Sequence, residues 1–217
     1  VAQTMLSHAD QENMYCYASF AEGEKPLLSM EHGWLPALEL LSHGAIVSQS
    51  FNSEELGSCQ YVLSGPNGAG KSTFLRCLGY NAVLAQTFGI AAARTFTLTP
   101  YQNISSYMSV EDDVKMGLSS FIAKYRRAEH LQSVAADLER EGVFGLFLLD
   151  DALGQGTNNL IGEKFALKTL KKFAESKNIF MLAATHFSGI VEHAQDANSP
   201  FKNIHIALKQ NEFNNFC

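Results

Sequence analysis

The chain has 217 residues, 46% apolar and 18% charged, which is enough apolar material for one sizeable core and too much for a disordered chain. Sixteen basic against twenty-two acidic residues leave a net charge of −6, so a general electrostatic wrapper of nucleic acid is excluded and any such contact is local or made elsewhere. Cys16, Cys59, Cys77 and Cys217 form no CxxC pair, no apolar run approaches eighteen residues, and the start is acidic, which argues against a zinc cluster, a disulfide framework, a membrane span and a signal peptide. The expected compartment is the cytoplasm, or the nucleus or nucleoid, and the abrupt ends at Val1 and Cys217 predict a piece of something longer.

In chain order, residues 21–26 read as a polar loop, and the apolar run 61–63 enters a glycine-rich turn followed by a helix from 72 to about 86. Phe121, Tyr125, Ala128, Leu131, Ala135 and Leu138 mark an amphipathic helix over about 118–140. Residues 143–149 are nearly all apolar, as in a parallel strand buried on both faces, and end in Asp150 and Asp151. Ile161, Phe165, Leu167, Leu170 and Phe173 then recur at helical spacing, with Lys164, Lys168, Lys171 and Lys172 on the other face. A second buried strand spans 179–185, a loop 196–202 and a last strand 203–208. Strands alternating with helices predict an α/β domain with a mainly parallel sheet.

Gly65-Pro66-Asn67-Gly68-Ala69-Gly70-Lys71-Ser72 fits G-x-x-x-x-G-K-[ST], and Thr73 continues it, between an expected strand and an expected helix. Glycines let backbone N–H groups approach phosphate oxygens, and the helix N-terminus adds positive potential. Lys71 is expected to reach the β and γ phosphates of ATP, and the Ser72 hydroxyl to take one position on Mg²⁺. A metal acid is then needed at the end of another buried strand, where Asp150 stands, and Asp151 is the candidate to orient or deprotonate the attacking water. His186, after the run 179–185, is placed to contact the γ phosphate or that water. The bland alternatives are an empty glycine-rich hairpin, a solvated acid pair and a surface histidine.

These motifs resemble the ATPase domain of the MutS mismatch-repair family, a branch of the ABC-type ATPases. Gly65-Pro66-Asn67 with Lys71-Ser72-Thr73-Phe74-Leu75-Arg76 is similar to its GPNxxGKST[FY][LM]R. Glu31-His32-Gly33-Trp34-Leu35-Pro36 is similar to an upstream G-R-H-P-V-L segment, and Leu84-Ala85-Gln86-Thr87-Phe88-Gly89 to [LM]AQ[IT]G. Asp112-Asp113, Gly117, Ser119-Ser120 and Phe121 resemble the signature that crosses a dimer interface, Gly156-Thr157-Asn158 the family's G-T-[NS], and Ala184-Thr185-His186-Phe187 its A-T-H-[YF].

The resemblance implies a three-layer P-loop NTPase fold of ABC type, with a mainly parallel sheet and an antiparallel edge. Residues 1–14 would be a remnant of a preceding helical lever and 15–217 the ATPase domain. It further implies ATP and Mg²⁺ as cofactors, a homodimer or heterodimer in which Ser119 or Ser120 of the partner closes on the γ phosphate, and DNA gripped by regions outside this chain.

The pattern departs from the family in three places. Aligned from the strand, Asp150 is the metal acid and Asp151 replaces a catalytic Glu; aligned from Gly156-Thr157, Asp151 is the metal acid and Ala152 takes the Glu position. The first keeps a carboxylate at the water, one methylene short, so hydrolysis is expected to be slow or absent. Gln155 replaces an arginine, and the V-P-N-D stretch is eroded to Val47-Ser48-Gln49-Ser50, which weakens the adenine contact. Two other functions compete: an ABC-type ATPase with no repair role, and a nucleotide-binding module without turnover.

Overall fold

The computed structural model describes residues 15–39, 47–108, 120–150, 153 and 158–207, and of Glu39, Ser120 and Phe121 the backbone only. The lever remnant at 1–14, Asp112, Asp113, Gly117, Ser119, Asp151, Ala152, Gln155, Gly156 and Thr157 lie outside the described residues. The elements run β1 (Cys16–Tyr17), β2 (Ser19–Phe20), β3 (Leu28–Gly33), α1 (Pro36–Glu39), β4 (Gln49–Asn52), α2 (Ser53–Leu56), β5 (Gln60–Ser64), α3 (Lys71–Phe88), β6 (Ile90–Ala91), β7 (Thr95–Leu98), β8 (Asn103–Tyr107), α4 (Ser120–Glu141), β9 (Gly145–Leu149), α5 (Asn159–Ala174), β10 (Ile179–Ala184), α6 (Ser188–Gln195) and β11 (Lys202–His205).

Five strands form one parallel sheet in the order β11-β5-β10-β9-β8. Every residue of β5, β9 and β10 is buried, which explains their continuous apolar runs: a parallel strand covered on both faces has no side to leave polar. Successive side chains point to opposite faces. Tyr61, Leu63, Leu146, Leu148, Phe180 and Leu182 therefore enter one core with α3, while Val62, Phe147, Leu149, Met181 and Ala183 enter a second core with α4, α5 and α6.

The resemblance implies an antiparallel edge on this sheet, but among the described residues the antiparallel pairing is found apart from it. It lies in a separate four-stranded sheet, β2-β7-β3-β4, where β3 runs antiparallel to both β7 and β4, and in the small pair β1-β6. The physical reason is burial on one face only: β3 and β7 alternate, sending Leu28, Met30, Phe96 and Leu98 into the α3 core and leaving Glu31 and Thr95 outside. Asn81, fully buried on α3, ties the two parts together by accepting from Ala92 N at 2.6 Å and donating to Trp34 O at 3.3 Å. Burial pushes the neighbouring Cys77 thiol up to about 12, so it stays protonated and inert at neutral pH.

Two helices differ from their expected faces. Ile161 is 55% exposed and Tyr125 43%, whereas Leu170, Phe173, Ala128, Leu131, Ala135 and Leu138 are buried as expected. Each outlier sits on the flank of its helix, and Tyr125 instead stacks on Phe165, joining α4 to α5 with ring centroids 5.5 Å apart. Boundaries move by one to three residues, α3 beginning at Lys71 and ending at Phe88, capped by Gly89 at φ 72°.

Phe180 packs against the rings of Phe51, Tyr61 and Tyr101 at 5.8–6.5 Å and is fully buried, at the point where the two sheets and α3 meet. Phe180→Ala is expected to destabilise the chain by about 3–5 kcal/mol. Thermal melting should show a midpoint lower by about 6–20 °C.

Candidate functional site

The parallel sheet brings three chain segments to its carboxyl edge. Ala184 of β10 pairs with Leu63 of β5, and Ala183 with Leu149 of β9, so the loops after β5, β10 and β9 leave side by side. Ligands of open α/β sheets collect at this edge.

The loop after β5 carries Gly65, Pro66, Asn67, Gly68, Ala69 and Gly70 and turns directly into α3, which opens with Lys71, Ser72 and Thr73. Gly65 has φ 150°, and a Cβ there would lie 2.6 Å from the Ile206 carbonyl oxygen, itself fixed because Ile206 N donates to Ser64 O at 2.9 Å. Gly65→Ala is expected to cost about 2–4 kcal/mol from strain and overlap together. Gly68→Ala, at φ 79° but with no atom within 4 Å, is expected to cost about 1–2 kcal/mol from backbone strain alone. Urea unfolding of the two variants measures that difference.

Gly70 caps α3 at φ 90° without a side-chain hydrogen bond, and the first turn of this 18-residue helix carries no acid. The first N–H groups of the helix therefore keep their positive potential for an outside anion. Beside them is an open cavity of about 380 Å³ lined by Asn67, Gly68, Gly70, Lys71, Ser72 and Thr73. Lys71 is 7% exposed and folds its ammonium back on the loop, donating to Gly65 O at 2.8 Å and Pro66 O at 3.2 Å.

From the end of β9, Asp150 reaches the same place. Its backbone N–H donates to Tyr107 O at 2.8 Å, and its Oδ1 accepts from Ser72 Oγ at 2.8 Å. Residues 78 apart thus present a hydroxyl and a carboxylate together, the hard oxygen donors that Mg²⁺ takes alongside phosphates and water. Among the described residues there is no group of three or more His, Cys, Asp and Glu able to hold a metal, and the Ser72–Asp150 pair fits a cation that arrives with an anionic ligand.

His186 follows β10 and is exposed, its ring 4.2 Å from that of Phe187. It leaves the sheet between the segments carrying Lys71 and Asp150. Ser120 opens α4, but its side chain, like Ser119 and Asp151, lies outside the described residues. Asn158 caps α5 by accepting from Leu160 N at 3.0 Å.

One neighbour was not legible in advance. Gln49, in the stretch expected to be an eroded adenine contact, brings its Nε2 to 3.8 Å from the position a Cβ would take on Gly70. Only the antiparallel sheet, through β4, puts it there. A larger cleft of about 560 Å³ opens at the opposite edge, near Lys25, Cys59 and Lys177, where Gln60 Nε2 donates to Ser176 O and Ile179 O. No helix among the described residues is long and apolar enough to cross a membrane.

Residues 61–216 match the family model of MutS domain V. The chain is 31% identical over 161 residues to DNA mismatch repair protein MutS of Thermus thermophilus, covering 74% of this chain and 18% of that protein. It is 27% identical over 186 residues to DNA mismatch repair protein spellchecker 1 of Drosophila melanogaster, covering 86% and 19%. For the MutS of Fervidobacterium nodosum the figures are 26% over 215 residues, 95% and 24%. The chain spans about a fifth to a quarter of the length of these relatives. A match through the glycine loop, Asp150 and His186 alike places the chain in the MutS family, as its domain V.

Proposed function

We propose that this chain binds ATP with Mg²⁺ and hydrolyses it slowly, as the motor of a MutS-like DNA repair protein that works as a dimer with composite nucleotide sites and grips DNA through regions outside this chain. The observation that carries the reading is the Ser72–Asp150 hydrogen bond at the foot of a helix whose glycine cap supplies no side-chain hydrogen bond. The fold proposed with it is a three-layer P-loop NTPase of ABC type, which the all-parallel sheet with its glycine loop after β5 supports.

In this reading the loop amides and the start of α3 hold the phosphates, and Lys71 leaves the Gly65 and Pro66 carbonyls for the β and γ oxygens. Ser72 and Asp150 hold the cation. Bound Mg²⁺ supplies neutralisation of the charge that develops on the phosphate oxygens. Asp151 orients the attacking water as general base, His186 contacts the γ phosphate or that water, and Ser119 or Ser120 of the partner subunit closes the site. The energy available to move DNA-gripping parts is the difference in affinity between ATP and ADP states.

Equilibrium dialysis against labelled ATP, with and without Mg²⁺, together with phosphate release, tests the proposal. Mg²⁺-dependent binding with slow release is expected, and a folded chain indifferent to ATP overturns it. A second reading, a binding module without turnover, is favoured by Asp151 standing where the family pattern has Glu; binding without release even in Asp151→Glu selects it.

A further inference from the structure

Helix α5 carries a feature the nucleotide site does not use. Lys164, Lys168, Lys171 and Lys172 are all exposed and, with Leu167 and Glu175, line a surface groove of about 440 Å³. Four of the eleven lysines of a chain with net charge −6 thus fall within nine residues. Spacings of four, three and one place them on one helical ridge about 12 Å long at 1.5 Å per residue. The two ion pairs formed among the described residues, Arg94–Glu31 and Arg140–Asp137, involve none of them. Glu163, which could have offset them, lies instead against Gly189 at the start of α6.

We infer that this ridge is a contact for the phosphate backbone of duplex DNA, made by the domain itself in addition to any grip elsewhere in the protein. The partner follows from the chemistry of the ridge. Apart from the exposed carboxylate of Glu175 at its end, its charges are point ammoniums on flexible stems with no exposed aromatic among them, and Leu167, half-buried, is the one apolar residue lining the groove. Protein interfaces are depleted in lysine and anchored by aromatic or aliphatic side chains, and the exposed Leu160 and Ile161 stand in the first turn of α5, ahead of the four lysines and outside the groove they line. A row of ammoniums without base-reading groups matches a regular row of phosphates, whose charge recurs about every 3.4 Å of duplex axis on each strand. The binding is accordingly independent of sequence and steeply dependent on salt. This inference does not rest on the nucleotide reading.

Anisotropy of a labelled 30-base-pair duplex, titrated with the chain at 50 to 200 mM salt, reads it directly. Each lysine that neutralises a phosphate contributes about 0.9 to the slope of log affinity against log salt, so Lys168→Gln/Lys171→Gln should lower that slope by about 1.8. Lys25→Gln/Lys177→Gln, with the same loss of charge on exposed residues away from the ridge, should leave it unchanged. Acetylation footprinting of the unmodified chain needs no variant: duplex should protect Lys164, Lys168, Lys171 and Lys172 and leave Lys25 and Lys177 reactive. Absence of duplex binding at 50 mM salt, equal losses in both double variants, or stronger protection by poly-glutamate than by duplex at equal charge overturns the inference. Labelled ATP should bind the ridge variant as it binds the unmodified chain, so failure of the nucleotide site and failure of the ridge give different results.

Discussion

Lys71→Ala should bind ATP about 10²–10⁴-fold more weakly than the unmodified chain, because it loses two charge-assisted hydrogen bonds to phosphate worth about 1.5–3 kcal/mol each. The fold should survive. In the free chain the ammonium is held by the carbonyls of Gly65 and Pro66, and Pro66 is exposed, so water can replace the donor there; the stability cost should stay within about 1–2 kcal/mol. Dialysis with labelled ATP, paired with a thermal melt, separates the two quantities. The same Lys71 shows how the loop is prepared: the residue is 7% exposed and its ammonium is already held on the loop carbonyls, so little side-chain entropy remains to be lost when phosphate arrives. Retention of ATP affinity within tenfold would remove the role assigned to the loop.

The parts of this site that could be read in advance are those written in contiguous residues. The glycine loop needs Gly65 to Ser72 in one run, and β9 and β10 are apolar end to end, as is the middle of β5, because both of their faces are covered, so the strand end at Asp150 was visible without any tertiary information. The antiparallel sheet was not visible. Its strands are two to six residues long, carry Ser, Thr and Asn at many outward positions, and acquire their meaning only from burial against α3. For the same reason Gln49 beside Gly70 and the Ile206 carbonyl over Gly65 could not be anticipated: each is a contact across a sheet, between residues that share no local pattern. Ile161 misled in the opposite direction. Helical periodicity names a stripe, but the edge of the stripe that lies under a neighbour is decided by where α4 and α6 pack, and Ile161 falls beyond it.

Asp150→Asn carries the second large effect, and it decides between the two ways of placing the acidic pair. Asparagine keeps an oxygen able to accept from Ser72 Oγ, and the backbone bond from residue 150 to Tyr107 O is untouched, so the strand end should hold its geometry with a stability change of about 1 kcal/mol or less. What disappears is the negative charge, which supplies most of the attraction of this pair for a hard divalent cation. ATP affinity measured in a chelator should therefore be unchanged or slightly higher, since one repulsion against the triphosphate is gone. Its enhancement by Mg²⁺ should vanish, and phosphate release should fall by about 10²-fold or more, the scale of several kcal/mol of lost metal stabilisation. Ser72→Ala removes only a neutral ligand and should show the same signs with a smaller loss. If instead Asp150→Asn keeps the Mg²⁺ dependence of the unmodified chain while Asp151→Asn abolishes it, the metal acid is Asp151. Ala152 then stands at the position of the general base, and the domain binds nucleotide without a group of its own to activate water.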